Sequence, residues 1–130
     1  MVLKLGSNGD EEWVITGGSN ANSTLHDLVA SDNGAYLLGS AYSISHTFGT
    51  KTFSFSGAFN QKKTFVVGFD TLGIAKWLTP IPRNYSTTGQ SLTVDENGAV
   101  VGLVQSMQVI SVPDSILNHN AVFKLTPDGG

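Results

Sequence analysis

Three histidines, His26, His46 and His119, are the side chains best suited to acid–base catalysis or to metal binding. They lie in different predicted elements and share no metal-ligand spacing, such as a pair four residues apart on a helix. His26 adjoins Asp27, but successive side chains of a strand point to opposite faces of a sheet, which argues against an acid–base pair. We therefore interpret the histidines as solvent-exposed or hydrogen-bonded residues.

Other catalytic chemistries lack the residues that they need. The chain has no cysteine, which excludes disulfides, thiolate metal sites and cysteine nucleophiles. It has no Gly-x-Ser-x-Gly elbow, and Gly17-Gly18-Ser19 lacks the lysine and the following helix of a phosphate-binding loop. We predict that the protein is not an enzyme, and we assign no catalytic residue, no metal-binding residue, no cofactor-binding residue and no cofactor.

Two acidic segments carry oxygen atoms that can bind calcium in principle. They are Asp32-Asn33-Gly34 and Asp95-Glu96-Asn97-Gly98. Neither has the alternating acids and the distant glutamate of an EF-hand loop. Both end in Asn-Gly between two apolar runs, and these two residues tolerate the positive φ of tight hairpin turns. We interpret both segments as turns.

The composition narrows the function classes further. The chain has 130 residues, which predicts one domain, and a net charge of −3, which argues against the basic face of a nucleic-acid-binding protein. No apolar run approaches the roughly 18 residues of a membrane span, and the first twenty residues lack the apolar stretch of a signal peptide. We expect no nucleic-acid partner and no membrane span.

Short apolar runs bounded by turn residues dominate the chain, and no long segment has helical periodicity. The pattern predicts an all-β protein. The predicted strands are residues 2–5, 12–16, 25–30, 35–41, 64–69, 75–79, 91–94, 99–105 and 121–125.

An internal repeat relates these strands. Four features recur at an offset of 64: Gly9 and Gly73, Trp13 and Trp77, Leu28 and Leu92, and the Asn-Gly-Ala segments at 33–35 and 97–99. Residues 4–9 also match residues 124–129, so the same turn element occurs three times. Because the tryptophans recur with the repeat, we interpret them as packing residues between units.

The repeat divides the chain into three unequal units within one segment, 1–130. Residues 2–16 form a partial unit with one hairpin, residues 25–79 form a complete unit of four strands, and residues 91–125 form a unit without its last strand. Four-stranded units of this length are typical of β-propeller blades. The residues in fact resemble a known family of bacterial β-propeller repeats, the SBBP repeats, through segments 28–40, 48–56 and 64–77. That resemblance implies a propeller fold and a surface or secreted setting, and it implies no catalytic residues.

Adjacent apolar pairs, namely Leu37-Leu38, Val66-Val67 and Val100-Val101, predict strands that are covered on both faces. Isolated units would leave apolar faces bare. We expect a two-blade segment plus an N-terminal hairpin, completed by self-association or by a longer chain. In a homo-oligomer, the hairpin that carries Trp13 completes the open unit of the next copy, so three copies give about six blades and four give about eight. Residues 2–5 and 121–125 then compete for the same third-strand place.

The link within the complete unit is rich in aromatic residues. Phe53 and Phe55 alternate with polar residues, which favours either a fifth, edge-like strand or a loop packed over the blade. A ligand groove is a further reading of this link. The corresponding link in the last unit, residues 106–118, lacks the Phe-Gly element.

These patterns favour a non-catalytic structural or binding module of a secreted or cell-surface protein, which assembles with copies of itself and has a glycan or a protein as its ligand. The alternative is a carbohydrate-binding, lectin-like propeller. That alternative predicts exposed polar and aromatic residues that recur at the offset of 64. Beyond the pairs Asn20/Asn84 and Thr24/Thr88, the sequence has few of them.

Overall fold

The computed structural model describes residues 1–19, 21–42, 45–54, 61–81, 86–110 and 115–130, and for 107–110 and 115–119 it describes the backbone alone. The described residues form strands and no helix, which confirms the all-β prediction. They accordingly contain no helix that is long and apolar enough to cross a membrane. The strands are β1 (Val2–Leu5), β2 (Glu11–Ile15), β3 (Gly17–Gly18), β4 (Ser23–Ser31), β5 (Gly34–Ala41), β6 (Ser45–Phe48), β7 (Lys51–Ser54), β8 (Lys63–Phe69), β9 (Ala75–Pro80), β10 (Ser86–Val94), β11 (Val100–Ile110) and β12 (Ser115–Leu125).

A four-stranded antiparallel sheet, which we call the central sheet, has the order β4-β5-β8-β9. It corresponds to the complete unit that the repeat predicts. The adjacent residues Leu37 and Leu38 of β5 are both buried, as are Val66 and Val67 of β8. These two strands are therefore covered on both faces, as their apolar pairs predict.

Two other sheets flank the central sheet. The N-terminal hairpin pairs β1 with β2, and the C-terminal sheet has the order β10-β11-β12. One hydrophobic cluster joins Val2 and Ile15 of the hairpin to Val67 of the central sheet. A second cluster joins Leu38 of the central sheet to Val100 of the C-terminal sheet. Each face of the central sheet thus has its own core.

The aromatic link of the central unit forms a small sheet of its own, with the order β3-β6-β7. Phe53 lies on β7 and pairs with His46 of β6. The link is therefore a strand, as one of the two readings predicts, but it does not extend the central sheet as a fifth strand. Phe55 lies outside the described residues.

The corresponding link of the last unit differs from the prediction. Residues 106–118 lie between two predicted strands, 99–105 and 121–125, but β11 and β12 extend into this link and stay paired from Val100↔Leu125 to Ile110↔Ser115. The last unit has eight fewer residues between its hairpins than the central unit, and in the described part of this region the shorter chain continues the ladder where the central unit has β6 and β7.

The two Asn-Gly turns close their hairpins differently. In the central sheet the last pair is Ser31↔Gly34, whereas in the C-terminal sheet it is Val94↔Val100. The second turn therefore shifts the pairing by one residue. Because side chains alternate between the faces of a strand, a shift of one residue exchanges the faces. Leu28 pairs with Leu37, whereas its counterpart Leu92 pairs with Gly102, so Gly102 and not Val101 has the place of Leu37 in the sheet. Of the adjacent pair Val100-Val101, Val100 is buried and Val101 is only half-buried, so the prediction that both faces are covered is not met at this pair.

Candidate interaction surface

His26 lies on β4 and takes part in a chain of polar contacts between sheets. Its Nε2 lies 2.9 Å from Oγ of Ser40, and that oxygen lies 3.0 Å from Oγ1 of Thr64. Ser40 Oγ also accepts the backbone N–H of Gly89 at 3.2 Å, and Thr87 Oγ1 accepts the N–H of Thr64 at 2.9 Å. The hydroxyls therefore connect the central sheet to β10.

This arrangement is unsuited to nucleophilic catalysis although it places a histidine beside a serine. Ser40 is 0% exposed, so a substrate cannot reach its hydroxyl. Burial, with a smaller contribution from the charge of Lys62, lowers the pKa of His26 below 6.5. Asp27 does not contact His26 in this chain of contacts, and its carboxylate instead accepts the N–H of Leu92 at 2.7 Å. The polar contacts thus satisfy buried groups where two sheets meet.

The other two histidines do not join this group. His46 is buried, and its ring lies 4.4 Å from the ring of Phe65, centroid to centroid. His46 is therefore a core residue packed on an aromatic ring, and of the two predicted alternatives only solvent exposure is excluded for it. The side chain of His119 lies outside the described part of the chain. Within the described residues, no three histidine or acidic side chains lie close enough to hold a metal ion.

The acidic turn at residues 95–98 uses its carboxylate locally. Asp95 Oδ1 accepts the N–H groups of Asn97 and Ala99, both at 2.9 Å, and Oδ2 lies 2.7 Å from Nζ of Lys124. The hydrogen bond from Lys124, followed by that from Ala99, lowers the pKa of Asp95. These contacts agree with the interpretation of this segment as a hairpin turn.

The tryptophans connect successive sheets. Trp13 of the N-terminal hairpin donates its indole N–H to the carbonyl of Thr71 at 3.0 Å. Its ring also lies over Gly73, where an added Cβ would be 2.6 Å from Cδ2 of the indole. The contact thus joins the hairpin to the turn between β8 and β9, so Trp13 packs between units, as its recurrence in the sequence predicts.

Trp77 of the central sheet makes the same contact one unit further on. It donates its indole N–H to the carbonyl of Pro127 at 3.1 Å, and a Cβ added at Gly129 would lie 2.6 Å from Cδ2 of its ring. The same ring also covers Gly68 of the central sheet, where a Cβ would lie 2.3 Å from Cε2. Any side chain at Gly68 or Gly129 would displace the indole.

Gly73 and Gly129 lie in turns of one construction, which two further turns share, at residues 6–10 and 95–99. We call residues 6–10 the first turn, residues 70–74 the second turn and residues 126–130 the third turn. In each, the first residue receives a hydrogen bond from the fourth and donates one to the fifth, over 2.8–3.0 Å. The fourth residue is a glycine at positive φ, 88° for Gly9, 78° for Gly73 and 89° for Gly129. Glycine adopts this conformation without the strain that a side chain would cause.

The first strand of the central sheet presents an open apolar face. Leu25 and Leu28 of β4 are 48% and 46% exposed. Leu28 also helps to line a cleft of about 510 Å³ between the N-terminal hairpin and the central sheet. Adjacent exposed leucines beside a cleft are typical of an interaction surface. The sequence repeat identified Leu28, but it did not distinguish it from its half-buried counterpart Leu92.

Comparison with family models, with curated proteins and with solved structures finds no match to the chain. The resemblance to SBBP repeats therefore stays a prediction, and the geometry of the tryptophan contacts and of the open face carries the functional argument.

Proposed function

We propose that the protein is a non-catalytic structural or binding module of the β-propeller type, which assembles with copies of itself. The observation that carries this proposal is the tryptophan–turn contact, which Trp13 and Trp77 make in the same way with successive units. Because each contact joins one sheet to the turn of the next, it stacks units in one direction. Repeat proteins gain much of their stability from such contacts between neighbours.

The open apolar face of β4 supports association of the chain with further copies of itself. In the stacked arrangement, a face of this kind is covered by a neighbouring unit, as β10 is covered by the central sheet. Burial of the exposed leucines Leu25 and Leu28 would favour association by the hydrophobic effect. The proposal places the module at the cell surface or outside the cell, which its low content of charged residues and its Ser/Thr/Asn-rich links support.

Carbohydrate binding is the weaker proposal. A repeated sugar site needs exposed aromatic residues, but both repeated tryptophans are occupied between sheets. Asn20 and Asn84, which recur at the offset of 64, lie outside the described residues. A concavity of about 610 Å³ near Gly17 and Ser45 is lined, among the described residues, by glycine, serine and threonine without an aromatic ring. The described lining of this concavity therefore offers no aromatic side chain on which a sugar ring could stack.

The test is the mass of the particle in solution across a range of concentrations, by light scattering or native mass spectrometry. We expect particles of three or four 13.7 kDa chains. A double variant, Leu25→Ser with Leu28→Ser, makes the open face polar and should shift the distribution towards single chains. The matched control is Leu72→Ser, an equally polar change at an exposed leucine of the second turn. A soluble single chain at all concentrations, or equal effects of both variants, contradicts the proposal.

A further inference from the structure

The first turn differs from the second and the third in one respect, which is what covers its glycine. Trp13 covers Gly73, which is buried, and Trp77 covers Gly129, which is half-buried. Gly9 is exposed, and a Cβ added to it would meet no described atom within 4 Å. Of the three turns that are equivalent in the repeat, the second and the third therefore hold an indole and the first does not.

The burial of the residue before each turn also separates the first turn from the second and the third. Phe69 precedes the second turn and is 3% exposed, and Leu125 precedes the third turn and is 9% exposed. Both pack into the core that lies between their own sheet and the preceding unit. Leu5 precedes the first turn and is 53% exposed. The apolar position is thus retained where the described structure has no preceding unit to cover it.

Two further residues extend this apolar surface. Leu3 and Val14 are cross-strand partners in the N-terminal hairpin, and both are exposed. The counterpart of Val14 at the offset of 64 is Leu78, which packs against the core of the central sheet. We call Leu3, Leu5, Val14 and the first turn the N-terminal surface.

We propose that the N-terminal surface binds a further β-sheet unit through a tryptophan of that unit, four residues after its own turn glycine. The indole N–H donates to the carbonyl of Ser7, which corresponds to the acceptor carbonyls of Thr71 and Pro127, and the ring lies on Gly9. The proposal deepens the proposed function and rests on it for the stacking of units. It specifies the partner as a unit with an unengaged tryptophan, because Trp13 and Trp77 are both engaged.

The test uses the unmodified chain as receptor and an extended chain as donor. The donor carries a copy of β9, Ala-Lys-Trp-Leu-Thr-Pro, after Gly130. This places the appended tryptophan four residues after Gly129, beside β12, whose described neighbour in the sheet is β11 alone. The donor also carries Gly9→Ala, so that it cannot act as a receptor for itself. We expect native mass spectrometry and sedimentation to show complexes that contain donor and receptor chains in equal numbers.

Two receptor variants separate docking at the first turn from other contacts. Gly9→Ala puts a methyl group where the indole must lie, and we expect it to weaken binding by about tenfold or more. Gly49→Ala is the matched control, since Gly49 also has positive φ, 60°, and open space around it, but lies in the β6–β7 turn. A donor whose appended tryptophan is replaced by alanine should not bind. Equal binding by both receptor variants overturns the proposal.

A second probe covers the case in which the appended strand does not pair with β12. N-acetyl-tryptophanamide is titrated onto the isotopically labelled chain, and the amide resonances of the first turn should shift while those of the occupied second and third turns do not. Absence of both the complex and these shifts overturns the proposal. If the chain is monomeric but the donor docks, self-assembly fails and this inference stands. If the chain assembles and neither probe acts at Gly9, this inference alone fails.

Discussion

Strands β4 and β10 occupy the same place in two successive units, yet their surroundings are opposite. β10 lies against β4, β5 and β8 of the central sheet, and its Thr87 and Gly89 are buried. Their counterparts at the offset of 64, Ser23 and Leu25 of β4, are exposed. The strand with the larger apolar side chain is therefore the open one. Burial in this protein follows from the presence of a neighbouring sheet and not from the hydrophobicity of the strand.

The buried glycine of β10 shows how close the covered interface is. A Cβ added at Gly89 would lie 2.6 Å from Cγ of Leu38, a core residue of the central sheet. The equivalent position of β4 has room for a leucine because no described sheet covers it. The contrast defines three changes that test it, in order of expected effect.

Exchange of the residues at this position should have the largest effect. Gly89→Leu inserts a side chain into a packed core and should lower the free energy of unfolding by about 3 kcal/mol. The reciprocal change, Leu25→Gly, alters a strand position that is exposed in the single chain, and at concentrations too low for assembly it should cost about 1 kcal/mol. Urea denaturation of both variants measures the difference. Similar losses of stability in the two variants would show that positions 25 and 89 are equally packed, which would contradict the contrast between β4 and β10.

A smaller effect is expected from the hydroxyl groups at the start of each strand. Thr87→Val removes the acceptor for the buried N–H of Thr64 and should lower the free energy of unfolding by about 2 kcal/mol. The control is Ser23→Ala, at the exposed counterpart, which should change stability by less than about 0.5 kcal/mol. If Thr87→Val leaves the free energy of unfolding unchanged, water accepts the N–H of Thr64 in the variant. The hydroxyl groups then do not contribute to the difference between β4 and β10.

The smallest effect concerns pH. Burial lowers the pKa of His26 in the folded chain. As the pH falls below about 6.5, His26 is therefore protonated in the unfolded chain before it is protonated in the folded chain. The contribution of His26 is complete above that pH and is lost as the pH decreases towards the lowered pKa. His26→Gln introduces the residue of its counterpart, Gln90, and should flatten the slope of unfolding free energy between about pH 7.5 and about pH 5. Identical slopes in both proteins would contradict the assignment.

Much of the fold follows from local residue types. Glycines at 9, 73 and 129 predicted three equivalent turns, and all three have positive φ. The adjacent apolar pairs of β5 and β8 predicted strands covered on both faces, and those residues are buried. The recurrence of Trp13 and Trp77 predicted contacts between units, although the carbonyl acceptors could not be inferred, because they belong to turns far along the chain.

Other features depend on pairing that residue types do not specify. The polar contacts of Ser40 and the small sheet of β3, β6 and β7 join segments without a shared motif. The register of β11 is a further such feature, because the length of the turn at residues 95–99, and not the offset of the repeat, decides that Leu92 pairs with Gly102.

Strands, turns and the repeat are thus local properties, since alternation of apolar residues and the freedom of glycine at positive φ act within a few residues. Which apolar faces are covered is a property of the assembled sheets, because a side chain leaves water only where another surface meets it. Leu5, Phe69 and Leu125 have the same place in the repeat and the same apolar character. In the described part of the chain, however, only Phe69 and Leu125 meet a neighbouring sheet, and only these two of the three are buried.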